Sequence, residues 1–325
     1  MSSIFPLADF PMFSAGTLAA IAQLFLVVIT VRGTDQCVCQ PGSICWPSSD
    51  DWDSFNTSVG GSLAAVYPVA TPCHNPSFDA AECAQVMMQY TNSTWRAEQI
   101  GTLSVREALT VAALQQINWE TYPPLTESCY VDWGQTASCS QGNVPIYGVA
   151  VESASQISQT VRFASARNLR LVIKNTGHDF LGRSAAHGSL CIWTHKLDNI
   201  SFSADYRPAG GSGETVGTTV TIGAGVQVAQ LYSAVGLANQ SVVIALAHSV
   251  GAGGGYIQGG GHSPMGPWKG MSTDNTVEFE VITAQVYVLV KPWLIYRVKL
   301  LWRMIIKTRI CIGHFEGEVV GPLGW

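Results

Sequence analysis

The strongest constraint on how this chain folds is an apolar run that empties into a glycine-bearing polar loop. Leu169 to Ile173 reads as a buried strand, and Lys174-Asn175-Thr176-Gly177-His178-Asp179-Phe180-Leu181-Gly182-Arg183-Ser184 follows it directly. Successive amides near Gly177 and Gly182 can form a concave donor surface for a diphosphate, and small side chains let such a ligand come close. His178 sits in the middle of this loop, and an imidazole can act as a nucleophile toward an electrophilic carbon. Loop chemistry alone leaves His178 open between a core histidine capping a turn and a nucleophile holding a dinucleotide covalently.

A second segment is as unusual. His248-Ser249-Val250-Gly251-Ala252-Gly253-Gly254-Gly255-Tyr256-Ile257-Gln258-Gly259-Gly260-Gly261-His262-Ser263-Pro264 is too rich in glycine for a helix or an ordinary strand. Such density suits backbone that passes against a ligand or takes positive φ repeatedly. No register gives G-x-G-x-x-G within a strand–turn–helix unit, so a Rossmann site is not supported, and no Gly-Lys-Ser/Thr loop occurs. Tyr256, Ile257 and Gln258 add bulk that a flexible glycine linker lacks. No Gly-x-Ser-x-Gly elbow supports a hydrolase.

Together the two segments resemble the flavin-binding loops of the vanillyl-alcohol oxidase and p-cresol methylhydroxylase (PCMH) family, in its fungal berberine-bridge-like and isoamyl-alcohol-oxidase-like branch. The resemblance implies a secreted oxidoreductase of oxidase type. It would oxidise an alcohol or a related small organic substrate by hydride transfer to FAD, with molecular oxygen as acceptor. It assigns His178 a covalent bond to the 8α-methyl of FAD, a bond that prevents cofactor loss and makes the flavin a stronger oxidant. Thr176, Gly177, Asp179, Leu181, Gly182 and Ser184 would line the diphosphate side, and Gly251, Gly254 and Tyr256 the other side of the cofactor. His262 ends the glycine loop and is read as packing on the cofactor ahead of moving a proton. Relatives with a second, cysteinyl flavin bond carry Cys shortly before the Val-Gly pair; here that position is Ala247, so one covalent bond is expected. No catalytic base is named, and His187 and His195 are read as structural.

Composition and the termini bear on where such a protein works. Charged residues make up 12% of the chain and net charge is −5, which points away from disorder and leaves no basic footprint for nucleic acid. Phe10 to Val31 carries no charge, and Leu18 to Val31 forms an apolar core ending at Arg32-Gly33-Thr34, so residues 1–33 read as a secretory signal, with an uncleaved anchor as the alternative. Cys37, Cys39, Cys45, Cys73, Cys83, Cys129 and Cys139 crowd the first half and read as disulfides of unassigned connectivity, while Cys191 reads as a buried free thiol. No paired Cys-x-x-Cys or His supports a metal site. Sequons at Asn56, Asn92, Asn199 and Asn239 fit a glycosylated product.

Along the chain, residues 34–140 form a Cys-rich N-terminal extension with a helical pattern near Val105 to Ile117. Strands are expected at Pro145 to Val151, Leu169 to Lys174 and Val216 to Ile222. Helices are expected from Ser153, a candidate cap, to Asn168 and from Val226 to Val235. Val277, Phe279 and Val281 alternate with Glu278 and Glu280, as in a half-buried strand with the carboxylates facing out. The fold class is thus α+β: a PCMH-type FAD-binding domain of two α/β subdomains at residues 141–284, incomplete at its C-terminus. Past Ala284 the family pattern stops, and 285–325 holds six of the 17 Lys and Arg residues. Four of those charges, between Lys291 and Arg303, argue against a membrane-spanning helix. A non-family tail would leave an open edge at Val277 to Val281, with poor secretion or aggregation as the expectation. Two other functions stay open: a truncated family fragment without turnover, and a non-catalytic, disulfide-rich secreted binding protein.

Overall fold

A computed structural model of the chain describes residues 38–100, 129–131, 138–179, 182–209, 211–283, 288–292 and 303–311, the last two segments by backbone and register. The signal-like segment 1–33, the helical pattern at Val105 to Ile117 and Leu181 lie outside the described residues. Residues 39–325 cluster as one compact unit.

Two sheets make up that unit. The first has the order β1-β2-β4-β3, formed by β1 (Leu63–Ala65), β2 (Tyr147–Ala150), β3 (Leu171–Lys174) and β4 (Leu190–Trp193). Strand β4 runs parallel to both β2 and β3, and β1 pairs antiparallel with β2. A helix, Ala154–Ala166, makes the crossover from β2 to β3. Ser153 caps it by accepting from the Gln156 amide at 3.3 Å, as the sequence anticipates. Its buried Ile157, Thr160 and Ala164 recur at helical spacing, so one stripe faces the sheet. All four residues of β4 are buried, which fits a central strand covered on both faces.

The N-terminal extension is built into this layer. The helix Ser49–Ser58 stacks Phe55 on Phe163 with ring centroids 4.1 Å apart, and its Trp52 lies 4.4 Å from the Tyr147 ring. Disulfides join Cys39 to Cys45, Cys73 to Cys83 and Cys129 to Cys139, while Cys191 is free and buried.

The second sheet is antiparallel, in the order β5-β6-β9-β7-β8: β5 (Ile200–Ser203), β6 (Thr219–Gly223), β7 (Thr276–Thr283), β8 (Val288–Pro292) and β9 (Arg303–Cys311). Val220, Ile222, Phe279 and Val281 pack with Val228, Leu231 and Val235 of the helix Val228–Leu237. Ile282, one residue on from Val281, belongs to the core of the first layer, so β7 touches both.

Two sequence expectations change here. The edge at Val277 to Val281 is not open, because β8 pairs along one side of β7 and β9 along the other. The register sets Glu278 opposite Arg309 and Glu280 opposite Lys307. Glu278, expected to face outward, is fully buried. Its carboxylate accepts from the Tyr206 hydroxyl at 2.8 Å and the Ala209 amide at 2.7 Å, because the loop after β5 folds over that face.

Candidate flavin site

The first glycine loop leaves the carboxyl end of β3, where a parallel sheet presents its ligands. Asn175 pins the start of the loop on three sides. Its Nδ2 donates to the Ala224 carbonyl at 2.7 Å, its Oδ1 lies 3.2 Å from His195 Nδ1, and its carbonyl accepts from the Trp193 indole at 2.9 Å. The same side chain occupies the space a Cβ on Gly251 would need. Asn175 thereby ties the end of β3, the turn after β6 and the second glycine loop to one point.

Gly177 turns the chain at φ +86°, a conformation that Cβ-bearing residues rarely adopt, and delivers His178 inward. His178 Nε2 lies 2.9 Å from the Oγ of Ser249, which is buried in the second glycine loop. Burial pushes the imidazole pKa down to about 4, and His248, Arg96 and Lys174 push it the same way. His178 is therefore neutral at ordinary pH, the form in which a ring nitrogen carries a nucleophilic lone pair.

Beneath this loop lies a lysine that the sequence reading passed over. Lys174, on β3, is fully buried; its Nζ donates to the Gln99 carbonyl at 2.6 Å and sits 5.8 Å from the centre of the Trp193 ring. Burial draws its pKa down to about 7, an effect the nearby Cys191 opposes and Arg96 reinforces. Burial pushes the Cys191 thiol up to about 12, so it stays protonated. Arg96 and Ser93 come from a short helix of the N-terminal extension, Ser93–Ala97, and Ser93 Oγ lies 3.3 Å from His248 Nε2. Part of the site wall thus comes from the Cys-rich region. No local pattern announces that, because these contacts span 155 residues in the case of Ser93 and His248 and 75 for Lys174 and Gln99.

The remaining predicted residues divide between the pocket and its rim. Thr176 and Gly177 are buried beside His178. Asp179 turns away: its carboxylate accepts from the backbone amide of Arg183 and pairs with the Arg183 guanidinium, bracing the turn at Gly182 (φ +69°). Ser184 is half-buried just beyond that turn. In the second loop Gly251 faces Asn175, whereas a Cβ on Gly254 or Gly255 would meet open space. Gly255–Gln258 makes one helical turn, a departure from the helix-free reading of this segment; with Gly254 and Gly259 flanking it, the turn is too short to meet the packing demands of a longer helix. Tyr256 donates its hydroxyl to the His262 carbonyl at 2.6 Å and lies 2.8 Å from Ser272 Oγ, which folds the loop back on itself. His262 is exposed at the end of that fold. His187 Nδ1 lies 3.0 Å from the Gly142 carbonyl, and His195 stacks on Trp193, both as loop anchors. Among the described residues no cluster of ligating side chains could hold a metal ion.

These features bring two glycine-rich loops together at His178 and Ser249. FAD fits the residues present: open backbone at Gly254 and Gly255 leaves room for a flat ligand beside the two loops that meet at His178 and Ser249. Residues 145–289 match the FAD binding domain family model. The chain is 50% identical over 250 residues to an uncharacterized FAD-linked oxidoreductase of Arthroderma benhamiae, covering 77% of this chain and 41% of that protein. It is 40% identical over 282 residues to the FAD-linked oxidoreductase notD of Aspergillus sp., covering 82% of this chain and 44% of the relative. Among solved structures, the VAO-type flavoprotein MtVAO615 of Myceliophthora thermophila matches with a TM-score of 0.73 at 30% identity, over 85% of this chain and 49% of that one. The chain is thus similar to FAD-linked oxidoreductases and to a VAO-type flavoprotein through a region that includes its FAD binding domain, and it spans less than half the length of these relatives.

Proposed function

We propose that this chain is an exported FAD-dependent oxidoreductase of oxidase type that holds its cofactor through a covalent bond from His178 to the 8α carbon. The substrate class is an alcohol or a related small organic molecule, and molecular oxygen is the acceptor. The observation that carries the reading is a neutral, half-buried imidazole held between two glycine-rich loops by Ser249. Bound FAD would supply the redox chemistry by accepting a hydride from the substrate. Thr176, Gly177, Gly182 and Ser184 would bind the diphosphate side, and Gly251, Gly254, Tyr256 and His262 the opposite flank. Thr176 and Ser249 are buried, and the Asn175 side chain bonds the turn after β6 and abuts Gly251, so it would hold the two loops about the cofactor. Three disulfides among the described residues support an oxidising compartment.

The visible spectrum of purified protein before and after acid precipitation tests this reading. Flavin absorbance should stay with the pellet and be lost from it in His178→Ala. Colourless protein that also fails to take up added FAD would sink the proposal. A second reading is favoured by one fact, that the matched relatives are more than twice as long as the region they share with this chain. In that reading the chain holds flavin without turning over a substrate. Anaerobic reduction of the bound flavin by an alcohol panel, followed by oxygen uptake on re-aeration, separates the two.

A further inference from the structure

We propose that Asn199 carries an N-linked glycan, and that this glycan shields the open edge of the second sheet at β5. The inference rests on the export reading above, because N-linked transfer acts on exported chains. It names one modified residue and what the modification does.

Four sequons occur, at Asn56, Asn92, Asn199 and Asn239, and the fold treats them differently. Asn56 is half-buried in the helix Ser49–Ser58, and its Oδ1 accepts from the Leu63 amide at 3.1 Å, fastening that helix to β1. Asn92 caps the helix Ser93–Ala97. Its Oδ1 accepts from the amides of Thr94 and Trp95, and its Nδ2 donates to Gln89 Oε1 at 3.0 Å. Asn239 is exposed, but it is held at φ +53° just past the helix Val228–Leu237. Asn199 is exposed, and its side chain carries no such duty among the described residues. Its carbonyl accepts from the Gly223 amide at 2.9 Å, which opens the ladder between β5 and β6.

Strand β5 is the outermost of its sheet: β6 pairs along one side, and no described strand pairs along the other. Alternation puts Ser201 on the Asn199 side of the strand and Ile200 and Phe202 on the opposite side. Ile200 packs against the core, while Phe202, opposite Val220, is left 45% exposed. Unpaired backbone beside an exposed phenylalanine is a template for another chain's strand, and proteins blunt such edges with charge, proline, bulges or cover. Ile200-Ser201-Phe202-Ser203 holds no charge and no proline, and its register with β6 runs without a bulge. A bulky, hydrated glycan at the entry of the strand supplies cover. Transfer forms a bond from Asn199 Nδ2 to the anomeric carbon of an oligosaccharide carried on a lipid diphosphate. It breaks that carbon's bond to the diphosphate oxygen, and the lipid diphosphate leaves with one proton from Nδ2.

The test uses the full chain expressed in a eukaryotic host and collected from the medium. Peptides released by peptide N-glycosidase in heavy-oxygen water should show Asn199 converted to labelled aspartate. Ser201→Ala removes the sequon and leaves Asn199 in place. It should lose one glycan by gel mobility and move to earlier elution as aggregate, whereas Ser201→Thr, which keeps the sequon, should behave as wild type. Ser201→Lys also removes the sequon but puts a charge on the exposed edge, and it should recover the wild-type elution without the glycan. An unmodified Asn199 in secreted protein would overturn the proposal. So would Ser201→Ala eluting as wild type, or Ser201→Lys aggregating like Ser201→Ala. If Ser201→Ala is not recovered, the occupancy of Asn199 and the elution of Ser201→Lys decide. A chain kept in the cytosol with all four sequons bare overturns the export reading instead, an outcome distinct from a secreted chain with Asn199 bare.

Discussion

The first sheet draws β2, β3 and β4 from one continuous stretch, Tyr147–Trp193, with the crossover helix inside it. The second sheet assembles β6 and β7 around β9, a strand that arrives after both in the chain and separates them. One layer can form from local contacts, while the other stays incomplete until the last of its strands is in place. The difference teaches where this protein is vulnerable: His178 leaves the locally built layer, and the second sheet is not continuous without β9.

The sharpest way to break that comparison is to delete residues 285–325. Strand β6 would gain one bare edge and β7 two. The deleted chain should be recovered as aggregate, measured as soluble yield and elution volume beside the full chain. A monodisperse deletion product would mean that β9 is not part of the second sheet's working structure.

A smaller effect is expected at the joint between the layers. Asn175→Ala removes the donor to the Ala224 carbonyl and the partner of His195, and leaves a void against Gly251. The loss should be about 2 kcal/mol, the scale of stranding partly buried polar groups. In a thermal melt the midpoint should fall by roughly 5 °C. An unchanged melt would show that the two layers are held together elsewhere.

A third effect is a pH dependence centred on the first layer. Between pH 4 and the ordinary histidine range near 6.5, the unfolded chain binds a proton at His178 that the folded chain refuses. Stability therefore rises with pH across that window and is lost as pH falls through it, with an upper limit of about 3 kcal/mol. Lys174 acts in the same sense higher up, between about 7 and 10.5. Denaturant melts from pH 4 to 7 should flatten in His178→Gln, and an unaltered slope would place the acid-sensitive group elsewhere.

Much of the first layer was legible because its signals are local. The alternation from strand to capped helix to strand, and the turn at Gly177, need only neighbours along the chain. His178 could be singled out for the same reason. What escaped was every contact made at long range. Ser249 looks like any serine in a polar loop until it meets His178, 71 residues away. Lys174 ends an apolar strand, and nothing nearby says that it will be enclosed under the N-terminal extension rather than reach solvent. Glu278 alternates like a solvent-facing residue, and its burial depends on Tyr206 and Ala209 arriving from another loop. The strands after Ala284 were hidden by loss of the family pattern.

The three disulfides each join cysteines that are adjacent in the order of the described cysteines, across separations of 6, 10 and 10 residues. Such a ladder can be oxidised in the order of synthesis. Each of these bonds can close as soon as its second thiol emerges. Scrambling is disfavoured by timing as well as by geometry. A pulse of reductant late in folding would open small rings one at a time and leave the aromatic stack of Phe55 on Phe163 to hold the extension in place.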